Sequence, residues 1–265
     1  MNILDQIIEN KKKEIILSKA LISENQLKDS EFFDRKCHSF ANAITTGSGL
    51  IAEFKRKSPS KGLINGSVNV QSVVKGYETA GASAISVLTD TKYFGGTFND
   101  IVLARKTVNI PILRKDFIVD SYQLLEAKAL GADVILLIAS GLSTTSCAEL
   151  ASHAKDLGLN VFLELHDESE LKYIDKNIDV IGINNRNLKT FEVDIENSIR
   201  LAKQLPKEMV KVAESGISNA EVVNRMKNEG FEGFLIGENF MKTDNPGESC
   251  SQFIETSSLS VKKQN

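Results

Sequence analysis

The chain has no tryptophan, and its three cysteines, Cys37, Cys147 and Cys250, lie far apart with no CxxC pair. That spacing supplies neither a disulfide framework nor a zinc site and fits a reducing cytosol. No apolar stretch approaches the roughly 18 residues that span a bilayer. The longest, Val134 to Ala139, has strand length. Neither sign of charge dominates: 35 acidic residues face 32 basic ones in 265, for a formal charge of -3. A dedicated nucleic-acid binder usually concentrates Lys and Arg on one face, so this balance argues against one. The first segment, MNILDQIIENKKKEI, mixes both charges and lacks an apolar h-region, so it does not read as a signal peptide. Walker loops, GxSxG elbows and zinc motifs are missing, and His38, His153 and His166 have no metal-ligand spacing. The expectation is a cytoplasmic protein with no membrane, nucleic-acid or metal partner.

What is there is the composition of a soluble globular enzyme, 42% hydrophobic, patterned as alternating strands and helices. Ile3, Leu4, Ile7, Ile8, Ile15 and Ile16 fall near helical spacing and predict an amphipathic first helix. From about residue 48, short apolar runs recur between longer helical patterns. The predicted strands are Leu50 to Phe54, Ala84 to Leu88, Ile110 to Leu113, Val134 to Leu137, Val161 to Leu165, Val180 to Ile183, Val210 to Ala213 and Gly233 to Ile236. Asp120 with Gln123 and Ser218 with Glu221 have capping-box spacing, and Gly81, Gly131, Gly158 and Gly230 stand where helices should stop. AGASAISVL, LGADVILLI and EGFEGFLIG each repeat a glycine stop, a link and a buried strand. Strands apolar throughout belong to a parallel sheet covered on both faces, and eight strand–helix units close a barrel. A doubly wound open sheet is the alternative, but the GxGxxG turn of its Rossmann form is absent. The expected organisation is α/β: a single (β/α)8 TIM barrel domain over 48–254, an N-terminal helical extension over 1–47, and a frayed polar tail over 255–265.

In such barrels chemistry sits at the carboxyl ends of the strands, and the polar residues follow that rule. Glu53 and Lys55 close the first strand, Lys115 follows the third, Glu164 ends the fifth, Asn184 and Arg186 follow the sixth, and Glu214 and Ser215 follow the seventh. Charges near apolar strands are costly to desolvate unless paired. Singly, each reads equally as a satisfied ion pair. Together they read as lysines and glutamates holding one another charged, a proton donor and acceptor near neutral pH. Glu214-Ser215-Gly216 and Ile236-Gly237-Glu238 place small residues after strands seven and eight, where backbone N–H groups can approach a phosphate; the plainer reading is a tight turn. The run from Lys55 to Gly62, with Ser58 held extended before Pro59, reads as a lid bringing cations over an anion, or as a solvated charge run. Phe94, beside Gly95 and Gly96, and Phe117 read as pocket walls.

The motifs AEFKRKSPSKG, LTDTKYFGG, RKDFI, LELHDESEL, GINNRNLKTF, AESGI and LIGENFM, in that order behind a helical extension, resemble the indole-3-glycerol phosphate synthase family over nearly the whole chain. The resemblance implies a lyase of tryptophan biosynthesis that converts 1-(2-carboxyphenylamino)-1-deoxyribulose 5-phosphate to indole-3-glycerol phosphate, carbon dioxide and water without metal or organic cofactor. It implies Lys115 as general acid on the ketone, Glu164 as proton relay, and Glu53 holding the lysines charged. Asn184 would orient substrate hydroxyls or the neighbouring glutamate, and Lys55 would pair with a substrate anion. Arg186 would meet the anthranilate carboxylate, while Ser215, Gly216, Gly237 and Glu238 cradle the phosphate. Phe94, Phe117, Pro59 and Leu188 would be apolar walls. The expected partner is a small phosphorylated substrate, and the expected state is a monomer. The rivals are a related barrel isomerase, a non-catalytic barrel binding phosphorylated ligands, and a Schiff-base aldolase using a strand-end lysine.

Overall fold

The computed structural model describes residues 2–187, 192–257 and 259. Among these, eight strands close into one parallel barrel: β1 (Leu50–Phe54), β2 (Ala84–Leu88), β3 (Ile112–Lys115), β4 (Val134–Ile138), β5 (Asn160–Leu165), β6 (Val180–Asn184), β7 (Val210–Glu214) and β8 (Gly233–Ile236). Ile51 of β1 lies opposite Ala84 of β2 on one side and Leu235 of β8 on the other, and this seam closes the cylinder. β3 runs two residues later than its sequence pattern suggests. Pro111 has no N–H for the ladder, and Arg114 and Lys115 enter the strand because each finds buried ionic partners.

Side chains on a strand alternate between faces, and here the alternation decides where the chemistry goes. Ile51, Leu113, Phe162, Val180 and Val212 point into the barrel, where Phe40 and Ile44 of the helix Phe40–Thr46 plug one end. Phe40 packs against Phe162 with ring centroids 5.7 Å apart. Two residues further along each of these strands, the same inward face carries Glu53, Lys115, Glu164 and Glu214, with Gly182 and then Asn184 on β6. The opposite face, including Ala52, Ile85, Ile112, Leu163 and Ile183, packs in the apolar layer under the surrounding helices.

At the amino end of the barrel, buried Asp133 accepts from Arg35, Arg105 and the N–H groups of His38 and Ile112, at 2.7–2.9 Å. The first helix, α1 (Ile3–Leu21), starts in an Asn2–Asp5 capping box. Its buried stripe is Leu4, Ile7, Lys11 and Ile15, whereas Ile16 faces solvent. The four glycine stops all take positive φ. The Ser218–Glu221 box does not form: Asn219 caps the helix Ala220–Asn228 by accepting from Val222, which puts Glu221 one position too early. At Asp120–Gln123 only half the box forms, with Gln123 Oε1 accepting from the Asp120 N–H while Asp120 binds Tyr122. The tail is ordered further than expected, since the helix Pro246–Thr256 includes its first two residues and Ser257 and Leu259 are buried. Among the described residues no helix is long and apolar enough to cross a membrane.

Candidate active site

A cavity of about 320 Å³ opens at the carboxyl ends of the strands. Its floor is the top inward layer of the barrel. Lys115 Nζ donates to Glu164 Oε2 at 2.9 Å and to Glu214 Oε2 at 2.8 Å. Asn184 Nδ2 donates to Glu164 Oε1 at 2.9 Å, and the Arg186 N–H donates to Asn184 Oδ1, fixing which way the amide faces. Lys55 Nζ lies 2.6 Å from Glu53 Oε1. The space for these carboxylates comes from two glycines. A Cβ at Gly182 would collide with Glu214 and Phe162, and one at Gly237 would stand 2.5 Å from Glu53 Oε1. The need for a bare backbone at Gly182 is invisible until the strand register is known.

Desolvation and charge pull against each other on this floor. Burial disfavours the Lys115 cation, but Glu164, Glu214 and Glu53 override it and lift its pKa well above that of an ordinary lysine. Burial likewise favours protonated Glu164, yet Lys115, His166 and Asn184 hold it well below the usual carboxylate range. Glu214 goes the other way: burial and the Glu164 charge outweigh Lys115 and push it up to about 7.

Along one wall, Ser215 and Gly216 follow β7 with φ of 63° and 70°. Ser215 is the only non-glycine residue at positive φ among those described, a conformation costing an L-residue roughly 1–2 kcal/mol. Asn185, itself buried, holds the turn by donating to the Ser215 carbonyl at 2.7 Å. The N–H groups of Gly216, Gly237 and Glu238 donate to no backbone acceptor among the described residues, and these residues line the cavity together with Ile236. Unpaired amides at a concave wall suit an anion.

The expected lid is a small antiparallel hairpin, Lys57–Ser58 with Gly62–Leu63. Arg56 pins its base by a two-pronged grip on Asp100 at 2.6 and 2.8 Å. Ser58 and Pro59 face the cavity, and Lys61 Nζ reaches to 3.6 Å from Glu238 Oε1. Phe94 and Phe117 stack obliquely on the far wall, centroids 6.0 Å apart. Arg186 also lines the cavity, while Leu188 lies outside the described residues. The sequence-predicted residues that the structure describes therefore converge on one mouth.

Sequence reasoning missed two parts of this region. One is α1, which closes the cavity with Ile3, Leu4 and Ile7 and inserts Lys11 between Asp90 (3.0 Å) and Asp116 (2.9 Å), the acids beside the loops of Phe94 and Phe117. Lys11 occupies a place in the helix stripe where an apolar residue is expected, and that was its available signal. The other is His166, whose Nε2 lies 3.2 Å from Glu164 Oε1. Its signal was its place two residues past Glu164, on the same face of the chain.

Comparison with known proteins agrees over nearly the whole chain. The sequence pattern of the family described as Indole-3-glycerol phosphate synthase matches residues 4–253. A protein of that name from Bacteroides thetaiotaomicron is 53% identical over 255 residues, covering 96% of this chain and 98% of its own length. Another, from Bacillus cereus strain G9842, is 44% identical over 261 residues, covering 98% and 99%. Among solved structures, a mutant tryptophan synthase α-subunit from Pyrococcus furiosus aligns with a TM-score of 0.60 at 18% identity, covering 80% of this chain and 98% of that one, a likeness of fold alone. By sequence over nearly its whole length, the chain belongs to the indole-3-glycerol phosphate synthase family.

Proposed function

We propose that this cavity binds 1-(2-carboxyphenylamino)-1-deoxyribulose 5-phosphate and closes its pyrrole ring, with loss of carbon dioxide and water, through Lys115 as general acid. The observation that carries the reading is the Lys115 ammonium, partly exposed to the cavity and held between buried Glu164 and Glu214 on its floor. The phosphate docks on the free amides of Gly216, Gly237 and Glu238, and the Ser215 turn stores strain to present them. The aryl ring lies between the apolar walls of Phe94, Phe117 and α1. Arg186 meets the anthranilate carboxylate, and Lys55, paired with Glu53, is available to a second substrate anion.

Ring closure turns a neutral ketone oxygen into a developing alkoxide, which a positioned cation stabilises and protonates. Once Lys115 has given up its proton, the largest charge that depresses Glu164 is gone, and only the weaker pull of His166 and Asn184 remains. The proton affinity of Glu164 then rises, and after carbon dioxide has left and restored the aryl ring, Glu164 is a competent acceptor for the carbon-bound proton lost with the hydroxyl in the dehydration. Asn184 keeps that carboxylate aimed into the cavity. A Schiff-base role would need a neutral lysine, and the three surrounding carboxylates oppose that state. The proposed setting is cytoplasmic and the proposed state monomeric.

The test is incubation with the carboxyphenylamino substrate while following indole absorbance and fluorescence, with little background from a chain lacking tryptophan. Lys115→Met should lower kcat by about 100-fold or more with KM changed little, on the usual scale for a lost general acid. Turnover at the wild-type rate would remove Lys115 from the chemistry, and absence of product with the wild-type chain would overturn the reading.

A further inference from the structure

We infer that His166, which does not line the cavity, is a positioning residue: an imidazolium wedged between Glu164 and Glu170 that keeps Glu164 ionised and turned toward Lys115 and Asn184. Its Nε2 is 3.2 Å from Glu164 Oε1 and its Nδ1 is 3.7 Å from Glu170 Oε2. Both ring nitrogens are buried and neither is aligned for a hydrogen bond. A neutral ring would turn a lone pair toward one carboxylate and only an uncharged N–H toward the other. The protonated ring has an ionic partner on each side.

The charge count around the floor points the same way. Among the described residues Glu53 pairs with Lys55, Glu164 and Glu214 share Lys115, and Glu170 lies at ion-pair distance from the His166 ring, so a charged ring relieves the crowding of carboxylates. The groups facing His166 are Glu164 from its own strand and Glu170 from the turn that follows. Asn197, from the helix Ile195–Ala202, is uncharged and touches only the His166 carbonyl. Lys115 stands beyond Glu164. Burial alone would discharge the ring, but the two glutamates override it and push its pKa up to about 10. Glu170 also accepts from the His166 N–H, which locks the loop in place beneath the ring.

The test has two arms, and only the kinetic arm rests on the proposed function. The chain has three histidines, so isotope labelling of histidine in the full-length protein gives three ring signals by NMR, with His166 assigned by its loss in His166→Gln. An ordinary imidazole, near 6.5, is neutral at pH 8. The His166 ring should still show imidazolium shifts there, and a neutral ring at pH 8 would overturn the proposal whether or not the enzyme turns over. In the kinetic arm, His166→Gln keeps an N–H donor without the charge. The acidic limb of its kcat/KM profile should move up by on the order of one pH unit, with KM nearly unchanged and much of kcat recovered at high pH. Limbs that superimpose on wild type would mean that His166 only packs. Wild-type protein without turnover would instead count against the proposed function and leave the NMR result standing.

Discussion

Glu214 shows how neighbours rather than residue type set behaviour. It and Glu164 share one lysine, yet Glu214 is pushed up to about 7 while Glu164 is held low. The unfolded chain releases the Glu214 proton near 4.3, and the folded chain keeps it to about 7. Between those values the native state binds more protons, so stability falls as pH rises through the window. The loss should amount to a few kcal/mol at most, on the order of 1.4 kcal/mol for each tenfold difference in proton affinity between the two states. Urea midpoints measured from pH 5 to 8 should therefore decline more steeply for wild type than for Glu214→Gln. Equal slopes would show that Glu214 ionises normally.

At the scale of elements, α1 is a wall of the candidate site, anchored beside it by one buried charge, Lys11. Lys11→Met would leave Asp90 and Asp116 facing each other without their ammonium, which should cost about 3–5 kcal/mol and raise KM as Ile3, Leu4 and Ile7 lose their seating. A thermal melt and a substrate titration would check both. Asp116 supplies a pH signature. Burial would raise its pKa, but Lys11 and Arg114 lower it to about 2, so its contribution is present above roughly pH 4 and lost as pH falls toward 2. In Lys11→Met the native pKa rises toward the unfolded value, so this acid loss should shrink. The strands were legible in sequence because each buries both faces and reads as an apolar run, and the strand-end charges stood out against that background. The third strand was misplaced because its charged end is stabilised by buried ion pairs, those of Lys115 with residues distant in sequence, that an apolar pattern does not register. Lys11 was overlooked for a related reason: a search for apolar periodicity skips the charged residue that fills the stripe. His166 was weighed only as a metal ligand, and its ionic role depends on the Glu170 turn folding back.

For the molecule as a whole, the two ends of the cylinder divide the labour. The carboxyl end holds the proposed chemistry, and Asp133 ties four donors together near the other. Asp133→Asn should destabilise the chain by roughly 3 kcal/mol or more, since Arg105 would lose its buried counter-charge, while kcat and KM below the unfolding transition stay at wild-type values. A large change in kcat with an unchanged urea midpoint would contradict that division. The β1–β8 seam has a further consequence. With each barrel strand flanked on both sides, no long ladder of backbone amides is left open to recruit a neighbouring molecule. Among the described residues the strand pairing outside the barrel is that of the two-residue hairpin and a single bridge between Arg186 and Val193. At the hairpin Lys57 and Lys61 set like charges against any incoming strand, so concentrated solutions should resist fibre-like association until the cylinder itself opens.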